Sequence, residues 1–357
     1  MAEKAQIGNK LIFRNIDAML AKAPVIQLAP NSRWVIFSDL HMGDGGSTDD
    51  FTQNSGLFAR VLEQLYLPEK FGLVLNGDVE ELLRFSLESI MNRWASVYTI
   101  FDAFAVDDRL VKLTGNHDLE LLVNPELQPR YSNKEALRFQ FKEDFINLFH
   151  GHQASKGFQR QSEFIGFTLK YFANPLRIKN YSVAHDSRKQ YKIEKRVYSF
   201  SSVHKAVSII GHTHRPLFES MHKVERMKYK IEQLCREFAT SEPTDDIKDT
   251  IKSLKNELKK YARTKNFNPF DTYIYNSVFH VPCLFNSGCV IGKRGMTCLE
   301  IEGDKIRLVH WFDKNISGKY LSQGGYQPEQ LADTDFYRMV INEESLDYIF
   351  TRIKFLA

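Results

Sequence analysis

Apolar residues along the chain fall into short runs closed by polar turns, and these runs alternate with stretches of helical spacing. Trp34-Val35-Ile36-Phe37, Phe71 to Leu75, Leu110 to Leu113, Phe145 to Phe149 and Val207 to Ile210 have the length and the β-branched or aromatic content of buried strands. Before the first of them, Leu11 to Ala23 reads as an amphipathic helix stopped by Pro24. Leu57, Val61, Leu62 and Leu65 recur at helical spacing, and Leu87 to Phe104 reads as one long helix. Strand, polar loop and helix in repetition predict an α/β sandwich with functional groups at the carboxyl ends of the strands.

The later chain breaks this rhythm. Val224, Met227, Ile231, Leu234 and Phe238 recur at steps of three and four, as do Ile247, Ile251, Leu254, Leu258 and Tyr261 after a turn at Ser241-Glu242-Pro243-Thr244. Two such stripes predict an antiparallel helical hairpin over 219–264, with arms on the order of 25–30 Å. Strand signals resume from Pro282 to Ile291. Met296 to Ile301 and Lys305 to Trp311 flank a hairpin turn at Gly303-Asp304, and Glu343 to Phe355 reads as a closing helix.

The strand ends carry the chemistry. Ser38-Asp39-Leu40-His41 closes the first run, and residues i and i+2 of an extended chain point the same way, so Asp39 and His41 can reach one point. Asp78 ends the next run in Asn76-Gly77-Asp78, and Asn116 lies in Gly115-Asn116-His117-Asp118. His150 follows in His150-Gly151-His152, and His212 and His214 in Gly211-His212-Thr213-His214. His185, after Val183-Ala184, is the alternative to His150. These seven donors offer oxygen and nitrogen without sulfur, which suits manganese first, then iron, zinc or magnesium. Seven exceed one ion's needs and suit two ions about 3.5–4 Å apart, with one carboxylate between them.

Composition narrows the setting. Of the 357 residues, 43% are hydrophobic and 26% charged, as in a globular protein, and no apolar run approaches a membrane span. The N-terminus lacks a secretory signal pattern, and the four cysteines form no C-x-x-C pair, so a cytosolic, reduced protein is expected. Net charge is +4, yet between Lys156 and Lys205 eleven basic residues face three acidic ones. Phe158, Phe164, Phe167, Tyr171 and Phe172 are interleaved with them. A basic, aromatic cap over 153–205 is therefore expected, fitted to an anionic or amphiphilic substrate, a membrane surface or single-stranded nucleic acid.

In order, the five motifs resemble those of the calcineurin-like metallophosphoesterases over about residues 34 to 214, with Asn286-Ser287-Gly288 similar to the family's late strand and turn. The resemblance implies one domain, a four-layer α-β-β-α sandwich of two mixed sheets flanked by helices, interrupted by the hairpin. It puts Asp39, His41 and His214 on one metal and Asn116, His150 and His212 on the other, with Asp78 bridging. It turns His117 toward the substrate as acid or transition-state stabiliser, oriented by Asp118. The implied reaction is hydrolysis of a phosphoester or pyrophosphate by a hydroxide held between the metals. Among branches, the chain looks most similar to the UDP-diacylglucosamine hydrolases, although the hairpin has no counterpart there. Two other uses stay open: a nuclease or phosphodiesterase, and a catalytically silent scaffold whose hairpin recruits a partner protein.

Overall fold

The computed structural model describes residues 2–124, 126–127, 129–155, 187–240, 244–262 and 280–357. The aromatic half of the expected cap, His185 and residues 241–243 of the hairpin's turn therefore lie outside the described residues. Along the chain come α1 (Ala2–Leu20), β1 (Val25–Gln27), β2 (Arg33–Phe37), α2 (Ser55–Val61), β3 (Gly72–Asn76), α3 (Leu87–Arg93), α4 (Ala95–Ala105), β4 (Leu110–Leu113) and β5 (Asn133–Lys134). Then come β6 (Ala136–Phe141), β7 (Asp144–Phe149), α5 (Ser187–Val203), β8 (Val207–Ile210), α6 (Lys223–Thr240) and α7 (Asp245–Ala262). The chain closes with β9 (Leu284–Asn286), β10 (Met296–Glu302), β11 (Lys305–Asp313), β12 (Glu329–Gln330), β13 (Phe336–Ser345) and α8 (Leu346–Leu356).

Among the described residues, two mixed sheets form, ordered β1-β6-β7-β8-β9 and β12-β13-β11-β10-β2-β3-β4-β5. Each contains a parallel set, β2-β3-β4 in the larger and β7-β8-β9 in the smaller, so their carboxyl ends share one rim. Strand alternation feeds two cores. Val35, Phe37, Leu73 and Leu75 face outward against Phe58 of α2 and Tyr98 and Phe101 of α4. Ile36 and Val74 face the other way, into a core shared with Leu137, Leu148, Ile209, α1 and α5. Both faces of β2 and β3 are buried, which is why their sequences are apolar throughout.

Helices α6 and α7 pair through Met227, Leu234 and Leu254, and Lys223 at the start of α6 meets Glu257 near the end of α7, so they run antiparallel. No helix among the described residues is long and apolar enough to cross a membrane.

Two local expectations need correction. The stretch from Leu87 to Phe104 is two helices, broken at Trp94, whose indole N–H reaches Gly43 O at 2.9 Å instead of following a straight helix face. The helical spacing of Leu57 to Leu65 is met, with α2 continuing as a wider π-helical turn over Leu62–Tyr66 closed by Leu67 N–H to Leu62 O. Glu343 to Ser345 belong to β13, held on β11 by the ladder and by Lys305 at 2.9 Å from Glu343, and α8 starts only at Leu346.

Candidate metal centre

The loops that leave β2, β3 and β4 meet those that leave β7 and β8. Asp39 and His41 follow β2, Asp78 follows β3, Asn116 and His117 follow β4, His150 follows β7, and His212 and His214 follow β8. Their donor atoms form three overlapping groups, each within 4.8 Å: Asp39, His41 and His214; His41, Asp78 and His117; Asp78, His150 and His212. These groups could hold metal ions.

Sharp turns bring them in. Five of the twelve non-glycine residues with positive φ among the described residues are Asp39, His41, Asp78, His212 and His214. Such a conformation costs about 1–3 kcal/mol each and persists only where the surroundings impose it. The 39–42 loop is zipped to the 77–79 loop by Asp39 N–H to Gly77 O and by Leu40 and His41 N–H to Asp78 O, at 2.9–3.0 Å. Gly115 permits a close approach: a Cβ there would sit 2.0 Å from Asp78 Oδ1.

Hydrogen bonds outside the centre assign the imidazole tautomers. His150 Nδ1 lies 2.8 Å from Asn76 O and must donate to it, so Nε2 is the atom that presents a lone pair once the ring is neutral. His41 Nδ1 and His117 Nδ1 lie 2.9 and 2.8 Å from the two oxygens of Glu81, so their Nε2 atoms face inward. His41 Nε2 and His214 Nε2 are 3.2 Å apart, with Asp39 Oδ1 3.0 Å from the latter. His150 Nε2 lies 3.0 Å from Asp78 Oδ2 but lacks hydrogen-bond alignment to it. His150 Nε2, His212 Nε2 and Asn116 Oδ1 are buried polar atoms without a hydrogen-bond partner.

The electrostatics follow from this crowding. Burial raises the Asp39 carboxyl, but His214 and His150 outweigh it and hold it at about 2. Burial and His150 push His212 down to about 3. Burial also disfavours charge on His150, yet Asp78 and Asp39 lift it to about 10 in the absence of metal.

Glu81 is the candidate site residue that sequence reasoning missed. The acidic pair Glu80-Glu81 just after Asp78 was a visible signal, but its partners are 36 and 40 positions away. The expectation that Asp118 orients His117 is corrected. Both Asp118 oxygens accept backbone N–H groups, from Gly115 at 2.6 Å and Val79 at 2.7 Å, and Glu81 takes the imidazole instead. Asp118 thus shapes the loops beneath the site. His152 is buried with its ring centre 5.6 Å from that of His150, but it belongs to none of the three donor groups.

No family model matches the chain, and no curated protein matches it. Among solved structures, a conserved uncharacterized protein from Streptococcus pneumoniae TIGR4, described as a predicted phosphoesterase, is 11% identical over 80% of this chain and 92% of its own, with a TM-score of 0.31. A single mutant of Vps29 from Entamoeba histolytica is 10% identical over 87% of this chain and 99% of its own, with a TM-score of 0.33. Scores this low carry no weight for function, which must be read from the chain's own donors.

Proposed function

We propose that this protein is a two-metal hydrolase of phosphoester or pyrophosphate bonds, of the kind its calcineurin-like motifs imply. The observation that carries this is the trio of buried donors without a hydrogen-bond partner, Asn116 Oδ1, His150 Nε2 and His212 Nε2, at the loops around Asp78. An interior rarely leaves such atoms unsatisfied, and two imidazole lone pairs with one amide oxygen are a divalent ion's preferred company. Asp39, His41 and His214 would hold a second ion, with Asp78 between the two. Bound there, a metal pair supplies Lewis-acid stabilisation of phosphoryl charge and an activated water.

The chain's own groups do the rest. Asn116 adds oxygen without charge, so two carboxylates do not cancel the site's attraction for phosphate. Glu81 fixes the rings of His41 and His117 together. His117 keeps Nε2 toward the centre, 3.9 Å from Asp78 Oδ2, where it can give a proton to a leaving oxygen. The substrate we favour is anionic and lipid- or nucleotide-linked, drawn by the basic segment from Lys156 to Lys205.

Metal analysis of the purified protein, with hydrolysis of bis(p-nitrophenyl) phosphate, p-nitrophenyl phosphate and a nucleotide-diphosphate sugar, tests this. About two transition-metal ions and hydrolysis abolished by chelation are expected. Full activity in metal-stripped protein, or no hydrolysis of any phosphoester in metal-loaded protein, would overturn it.

A further inference from the structure

We propose that Glu194 is a positioning residue for the metal centre: from α5 it clamps the loop that presents His212 and His214. The proposal rests on the reading of those two histidines as ligands. Both hold left-handed backbone, φ 63° and 54°, with Thr213 between them. A loop so wound relaxes unless something outside it holds it, and relaxation would swing both imidazoles away from Asp39 and Asp78.

Thr213 is the handle. It is fully buried, and its hydroxyl donates to Glu194 Oε1 at 2.8 Å while accepting from Asn286 Nδ2 at 2.9 Å. Its carbonyl accepts from Gln190 Nε2 at 2.9 Å. Gln190 and Glu194 are four residues apart on α5 and so share one helix face. The second Glu194 oxygen takes Arg215 Nη2 at 2.6 Å, and the same guanidinium nitrogen reaches His222 Nε2 at 2.8 Å. Glu194 thereby grips the loop on both sides of His214.

Packing does not explain this residue. Glu194 is fully buried, and an aliphatic side chain would fill the space without the desolvation that a carboxylate suffers. What a carboxylate adds is direction: two acceptors with fixed separation, Oε1 taking the Thr213 hydroxyl and Arg215 Nε at 3.3 Å, and Oε2 taking Arg215 Nη2. Glu194 belongs to none of the donor groups, so it acts through the loop and not on the ions.

The test is Mn2+ affinity of the metal-stripped full chain, by competition with a chromogenic chelator, at a temperature where circular dichroism shows each protein folded. Glu194→Gln should weaken binding by roughly 10–100-fold, the usual effect of losing an outer partner of a ligand, while hydrolysis recovers at saturating Mn2+. Thr213→Val should weaken it likewise, and Thr213→Ser, which keeps the hydroxyl, should bind as the unaltered protein does. That pair decides the matter should Glu194→Gln not fold. Unchanged affinity in Glu194→Gln or in Thr213→Val overturns the clamp alone. Absence of binding of Mn2+, Fe2+, Zn2+ and Mg2+ alike by the unaltered protein overturns the metal centre, and the clamp with it.

Discussion

The Glu81 carboxylate grips His117 through Nδ1 at 2.8 Å, and its other oxygen reaches His41 at 2.9 Å. One side chain thus fixes both a candidate ligand and a candidate acid. Burial works against a charged His117 ring, but in the metal-free protein Asp78 and Glu81 outweigh it and lift the group to about 9. A raised imidazole is protonated below its pKa and loses its proton as pH rises through it. Glu81→Gln removes one raising carboxylate, so the alkaline limb of the pH–rate profile should move to lower pH, with a rate loss of roughly 10–100-fold. An unmoved limb on an alkyl phosphoester would separate His117 from proton donation.

His117→Ala should retain near-normal metal content and lose roughly 10²–10⁴ in rate on an ester with an alkoxide leaving group. The loss should shrink on a p-nitrophenyl ester, whose leaving oxygen needs little help. Metal loss in this variant would make His117 a ligand, as its place beside His41 and Asp78 also permits.

Metal binding should release protons. In the metal-free protein His150 titrates at about 10, because Asp78 and Asp39 overcome its burial, so at neutral pH it must shed a proton before it can coordinate. Affinity should therefore rise with pH up to about 10. Calorimetric titration in two buffers of different ionisation enthalpy reads the proton count. Asp78→Asn should lower both metal content and proton release, since the amide neither bridges two cations well nor holds a proton on His150.

Stability offers a check independent of catalysis. Lys112 Nζ lies 2.7 and 2.6 Å from the two oxygens of Glu80 in a buried pair, and Tyr98 OH adds a third bond at 2.7 Å. Lys112→Met leaves that carboxylate buried without its cation and should destabilise by about 3–5 kcal/mol in urea unfolding. Adding Glu80→Gln should recover much of this. Additive losses would show that the pair is not coupled.

The basic segment makes its own prediction. Lys189 and Lys192 are exposed on α5, and neutralising them with Arg188 should weaken a nucleotide-diphosphate sugar and flatten its salt dependence. A small activated ester should be turned over as before. Equal loss on both substrates would make the segment a support of the site, and no loss would make it a solvated face.

Sequence reading reached the strand ends because a carboxylate and imidazoles at the close of apolar runs stand out locally. The structure groups His150 with Asp78 and His212, whereas His185 lies outside the described residues. What escaped depends on distant partners. β6 and β13 are strands because β7 and β11 pair with them, and the polar end of β13 reads as a helix start until that ladder is seen. The break at Trp94 is set by Gly43, 51 residues earlier. The roles of Glu81 and Asp118 reverse for the same reason: sequence distance ranks Asp118 nearer to His117, and folding brings Glu81 to it.

Two parallel strand sets, one per sheet, share a rim, and this has a consequence for assembly. Asp39 and His41 come from the larger sheet and His214 from the smaller; Asp78 comes from the larger, His150 and His212 from the smaller. These two groups each draw on both sheets, whereas the third, His41, Asp78 and His117, belongs to the larger sheet alone. The centre is therefore a rivet through a seam. Its full set of donors meets only when the two halves of the sandwich have docked, and a slip of one sheet over the other parts both mixed groups at once.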